Sequence, residues 1–165
     1  MLVTSLLGEF LYEAEGTRKL LQCIPDSALT WKPAPKSWTT AELASHIAEI
    51  YNWYPPTFNE DIFDMAGYSY DKGDITTAAN ILAKFEANLE KAKAAVEAAT
   101  EESLQKKWKM VYGEKILMPE RKRIEVIRGF LMSHLYHHRG EMIVYLRATG
   151  NKIPGLYGPI GDDEL

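Results

Sequence analysis

The sequence has a single cysteine, Cys23, among its 165 residues. No intramolecular disulfide can form, and the chain needs no oxidising compartment for its stability. It also lacks any apolar run near the roughly 18 residues of a membrane span. The first segment, MLVTSLLGEFLYEAEG, carries Glu9, Glu13 and Glu15 where a secretory signal would need an unbroken apolar core. Positive charge is in deficit: 19 Lys and Arg stand against 23 Asp and Glu, a formal net charge of −4, which disfavours nucleic acid as a partner. There is no phosphate-cradling glycine loop and no dinucleotide fingerprint. These absences lead us to expect a cytoplasmic protein with neither a nucleic-acid nor a membrane partner. The hydrophobic fraction of 46% and the charged fraction of 25% are those of an ordinary globular chain, and the length suits one domain over residues 1–165.

What is present is helical periodicity. Leu7, Phe10, Ala14, Thr17, Leu21 and Ile24 recur at steps of three and four, one stripe of a helix over 3–24 that Pro25 ends. The stretch PDSALTWKPAPKS is a proline-rich loop leading to a well-marked helix start. Thr39 and Glu42 have capping-box spacing, and Trp38 and Leu43 occupy the positions of a hydrophobic staple. The second helix is expected over 40–54, stopped by Pro55 and Pro56, with a long loop over 57–74 of the kind that often carries function. A third helix over 76–99 follows from Ala78, Leu82, Phe85, Leu89, Ala92, Val96 and Ala99. Residues 104–118 break the rhythm and read as a small hairpin or an irregular crossover. Pro119 suits the first turn of a last helix over 120–149, with Gly150 placed to cap its end. The expected class is all-α: a four-helix bundle with a long loop between helices 2 and 3 and a C-terminal tail.

All four histidines fall inside these helices. His46 lies in the stripe of Leu43, Ile47, Ile50 and Tyr54; His134 and His138 lie in that of Ile127, Leu131 and Tyr145. A histidine pair at i, i+4 projects from one helix face and can chelate a metal, and a third imidazole from a facing helix completes three nitrogen ligands. Two other readings stand beside this one. The histidines could be hydrogen-bonded core residues, or the pair could be His134 with His137. Cys23 reads as packing. Gly129 and Gly140 suggest close helix packing, within the bundle or at a dimer seam. The run Arg121-Lys122-Arg123 could bind an acidic substrate or form a solvated helix face. Trp38, Trp53, Tyr54 and Tyr157 are candidate pocket walls or core.

The segment WKPAPKSWTTAELASHIAEI, the block HLYHHRGEMIVYLRATG and the ending IPGLYGPIGDDE resemble the DinB-like family, in order and spacing over nearly the whole chain. That family shares its fold with bacterial low-molecular-weight thiol S-transferases. The resemblance implies a four-helix bundle, usually dimeric, with one divalent metal on a histidine triad at His46, His134 and His138. It departs at Glu141, where the family often has Gln; a carboxylate there would serve as an acceptor behind a metal ligand, as a base, or only as a surface residue.

Three neutral imidazoles leave the full charge on the metal, so a bound water turns acidic and a bound thiolate or carbonyl is polarised. Zn, Ni and Fe all accept imidazole nitrogen. The resemblance implies transfer of a low-molecular-weight thiol to an electrophile, or hydrolysis of a small substrate, with catalysis through His46, His134 and His138 and a contribution from Glu141. The alternative is a non-catalytic, stress-associated bundle that binds a metal or a ligand. A homodimer is expected from the resemblance and from the length of the last helix. Neutral imidazole is needed for ligation, so metal binding is expected to weaken below about pH 6.

Overall fold

The computed structural model describes residues 1–162, so Asp163 and Glu164 of the quoted ending lie outside the described residues. In chain order the elements are α1 (Leu2–Gln22), α2 (Thr40–Ile50), α3 (Tyr54–Asn59), β1 (Ile62–Asp64), α4 (Ala78–Glu97), α5 (Glu101–Gln105), β2 (Lys107–Tyr112), β3 (Lys115–Lys122), α6 (Arg123–Val126) and α7 (Ser133–Ala148). A π-helical turn over Ile127–Met132 joins α6 to α7. Among the described residues no helix is long and apolar enough to cross a membrane.

The long helices form where their stripes predict. Phe10, Ala14, Thr17 and Leu21 of α1 are buried, as are Phe85, Leu89, Ala92 and Val96 of α4. The α2 capping box is in place: Thr39 Oγ1 accepts from Glu42 N at 3.2 Å, and Glu42 Oε2 accepts from Thr39 N at 3.0 Å. The helices close a ring in which α1 packs on α4, α4 on α2, α2 on α7 and α7 back on α1. One apolar cluster, including Phe10, Leu43, Ile47, Tyr51, Phe85, Leu135 and Met142, fills its centre.

Three expectations need correction. Pro55 and Pro56 do not end the helical path; they sit in the first turn of α3, where a missing N–H leaves no bond unmade. The chain is mostly helical, but it is not all-α. A three-stranded sheet is present, with β1 parallel to β2 and β2 antiparallel to β3, so the hairpin reading of 104–118 is the right one. Alternation along β2 buries Trp108 and Met110, which with Phe63 and Val126 form a small second cluster. Pro119 belongs to β3, an edge strand that tolerates a residue without a donor, and helix begins only at Arg123. The basic run is therefore no helix face. Arg121 and Lys122 lie on β3, while Arg123 is buried and donates to Asp61 Oδ1 at 2.9 Å and Glu60 O at 3.0 Å. Gly129 and Gly140 do not mark close packing among the described residues: apart from their own helix, no atom lies within 4 Å of where a Cβ would stand.

Candidate metal centre

His46 comes from the middle of α2, and His134 and His138 from the first two turns of α7, the helix that α2 packs against. His46 and His134 are half-buried and His138 is buried. One ring nitrogen from each of the three lies within 4.8 Å of the other two, and the Nε2 atoms of His46 and His134 are 3.2 Å apart. Ring centroids are 5.1 Å apart for His46 and His134, and 4.6 Å for each pairing with His138. His137 points away and is exposed.

These residues suit a shared cation on two counts. Imidazole nitrogens bind a zinc-like ion at about 2.0–2.1 Å, so two of them at a tetrahedral angle stand about 3.3 Å apart, close to the spacing of His46 and His134. Ordinary core histidines would each need a partner, yet His134 Nδ1 is buried with no hydrogen-bond partner among the described residues. Burial is the main cause that lowers the pKa of His46 to about 3 and of His134 to about 4; the neighbouring imidazoles add repulsion. Burial also lowers His138, against the pull of Glu141. All three are thus held in the neutral form that can ligate.

Glu141 stands behind this cluster. Its Oε2 is 2.7 Å from His138 Nδ1, which leaves His138 Nε2 for the other histidines. Glu141 also approaches His137 Nε2, at 3.4 Å, giving a second group of potential ligands on the outer face.

On the open side of His46 lies a cavity of about 470 Å³ walled by Trp38, Trp53, Met65, Tyr68 and Tyr70, with Glu42 and Lys72 among its lining. Trp38, Trp53 and Tyr70 stand with ring centroids 4.9, 5.7 and 6.3 Å from that of His46. Of the four aromatic candidates, Trp38 and Trp53 are therefore walls. Tyr54 is core, and Tyr157 belongs to the tail. The staple expected of Trp38 is replaced by contact with the rings of His46 and His138. Sequence reasoning did not single out Met65, Tyr68, Tyr70 or Lys72, although all lie in the 57–74 loop whose length marked it as functional. Behind the wall, the buried Glu49 pairs with Lys84 at 3.1 Å and accepts from Tyr68 Oη.

A second polar cluster fixes the residue next to His138. Buried Arg139 pairs with buried Glu13 of α1, donates to Thr17 Oγ1 at 3.3 Å, and bonds Tyr157, whose hydroxyl donates to Glu13 Oε2 at 2.8 Å. The tail is thereby strapped across α1 and α7. Cys23, at the end of α1, is packed against the core, and burial raises its thiol pKa.

Comparison with known proteins agrees with this fold. The family model of the DinB superfamily matches residues 10–142. The uncharacterized protein YrdA of Bacillus subtilis (strain 168) is 29% identical over 162 residues, covering 95% of this chain and 89% of that protein. The crystal structure of a DinB-like protein from Bacillus cereus ATCC 10987 superposes with a TM-score of 0.69 at 24% identity, over 92% of this chain and 95% of the other. YfiT from Bacillus subtilis, described as a probable metal-dependent hydrolase with an unusual four-helix bundle topology, gives 0.65 at 14% identity, over 90% and 87% of the two chains.

Proposed function

The chain belongs to the DinB superfamily, and from that premise we propose that it is a metal-dependent enzyme with His46, His134 and His138 as ligands of one divalent cation. The observation that carries this reading is the convergence of three neutral imidazole nitrogens, from two facing helices, at the wall of a cavity large enough for a small substrate. A cation on three neutral ligands with a further position open supplies a strong positive charge that acidifies a water or thiol and polarises a carbonyl. The chain's own residues do the rest. Glu141 holds the His138 ring by accepting at Nδ1, and so fixes which nitrogen faces the centre. Trp38 and Trp53 exclude water from one side of His46. The reaction is hydrolysis of a small substrate or transfer of a low-molecular-weight thiol to an electrophile. YfiT's description favours the first, and the likeness to thiol S-transferases favours the second.

The test is elemental analysis of untagged protein as purified, with the four single His→Ala variants. We expect one divalent metal per chain, lost from His46→Ala, His134→Ala and His138→Ala and kept by His137→Ala. Metal-loaded protein is then assayed for ester hydrolysis and for conjugation of small thiols to an electrophilic dye. Full metal retention in His46→Ala overturns the triad. Loss in all four variants alike does the same.

A further inference from the structure

The cavity beside His46 offers a ligand almost nothing but lone pairs and ring faces, and this follows from counting hydrogens. Ser45 has one hydroxyl hydrogen, and it is committed to Lys72 O at 2.7 Å. Ser45 Oγ therefore accepts from Tyr70 Oη at 3.1 Å, as it accepts from Lys84 Nζ at 3.2 Å. The single hydrogen of Tyr70 is thus turned away from the cavity. Tyr68 is in the same state: it donates to buried Glu49 and accepts from Trp53 Nε1 at 2.9 Å, which leaves one lone pair. The indole N–H of Trp53 is used up in that bond. The lysines of this region are neutralised, Lys72 by Glu42 at 3.0 Å and Lys84 by Glu49 at 3.1 Å.

We propose that this cavity binds the ammonium end of a small amine-bearing substrate, with Tyr68 and Tyr70 accepting its N–H groups and the faces of Trp38 and Trp53 its charge. This specificity rests on the reading of the cavity as the substrate site. An N–H-rich cation is the complement of acceptors that have no hydrogen left to give and of rings whose faces carry negative potential. A carboxylate would meet lone pairs and π-faces only, a repulsive pairing. An alcohol would find acceptors but gain nothing from the rings.

The test is titration of the protein as purified, following tryptophan emission, with four probes of one shape: benzylammonium, benzyltrimethylammonium, benzyl alcohol and benzoate. Benzylammonium is expected to bind about tenfold tighter than the alcohol, the size of a desolvated cation–π contact. Benzoate should bind weakest, and the quaternary cation, which has charge but no N–H, in between. In Tyr70→Phe the advantage of benzylammonium over benzyltrimethylammonium should shrink about threefold, the loss of one acceptor. Benzoate or benzyl alcohol binding as tightly as benzylammonium overturns the proposal, and so does the absence of any response. The series is repeated after chelator treatment, with metal content measured in the same samples. An ammonium preference that persists without metal supports the proposal even if the metal centre fails. A preference that vanishes with the metal means that the amine was binding the ion, and overturns it.

Discussion

Burial of three imidazoles beside one another ties stability to pH with a definite sign. His46 and His134 are pushed down to about 3 and about 4, and His138 is lowered too, all below the value of about 6.5 for an unfolded histidine. Between these values the unfolded chain binds protons that the native one refuses. This contribution is therefore complete above about pH 6.5 and is lost as pH falls toward the folded values. For chelator-stripped protein we expect a urea midpoint that is level above pH 7 and declines from about pH 6.5 to 5, with a shallower slope in His46→Ala; an unchanged midpoint across that window would refute it. The same shift amends the expectation of metal loss below about pH 6. At an intact site the protons compete only at lower pH, and release near pH 6 reports weakening of the bundle. Arg139→Met makes a second test at this scale. It strands the buried carboxylate of Glu13, and a loss of about 3–5 kcal/mol in chemical denaturation is expected. The triad was legible because histidines at i, i+4 on an apolar stripe leave a local mark. Glu13, Glu49, Lys84 and Tyr68 leave none. Glu13 meets Arg139 across 126 residues, and at either position the local pattern reads only as a charged residue in a helix.

Helix phase explains most of what was misjudged among the elements. At about 100° per residue, an unbroken α-helix would set Val126 roughly opposite Leu135 and Met142. All three are buried on one side, because the turn over Ile127–Met132 takes an extra residue and brings the two halves into register. Ser133 Oγ donates to Arg128 O at 3.0 Å, supplying a partner for a carbonyl in the altered turn. The stripe read from the sequence assumed constant pitch, so it ran through Tyr145 and missed Leu135 and Met142, and His134 falls at the edge of the buried face. Capping signals held better, since Thr39 and Glu42 act within one turn. The strand at 107–112 showed in its alternation, whereas β1, three residues long, had no pattern to show. Gly140 gives a prediction here. Inside a helix it costs about 1 kcal/mol relative to Ala, and a methyl group there meets nothing. Gly140→Ala should therefore raise stability by about 1 kcal/mol in dilute solution; a decrease would mean that another molecule packs on that face.

At the scale of the molecule, the ring α1–α4–α2–α7 brings helices distant in sequence together, so the active residues meet only when it closes. The likeness to dimeric family members, with Leu11, Tyr12 and Val144 exposed on α1 and α7, leads us to propose a homodimer. Light scattering should give about 37 kDa, twice the chain mass of 18.7 kDa, and a mass of 18.7 kDa at micromolar concentration would count against it. Closure also has a kinetic side. His46 and His134 are 88 residues apart, and the strap from Tyr157 to Glu13 spans 144. Helices form from local contacts within microseconds, while contacts of this separation must first overcome the entropy of closing the loops between them. In refolding from urea, far-UV circular dichroism should recover ahead of the capacity to bind metal. A metal-sensitive dye in a stopped-flow mixer would then time the last event of folding rather than the first.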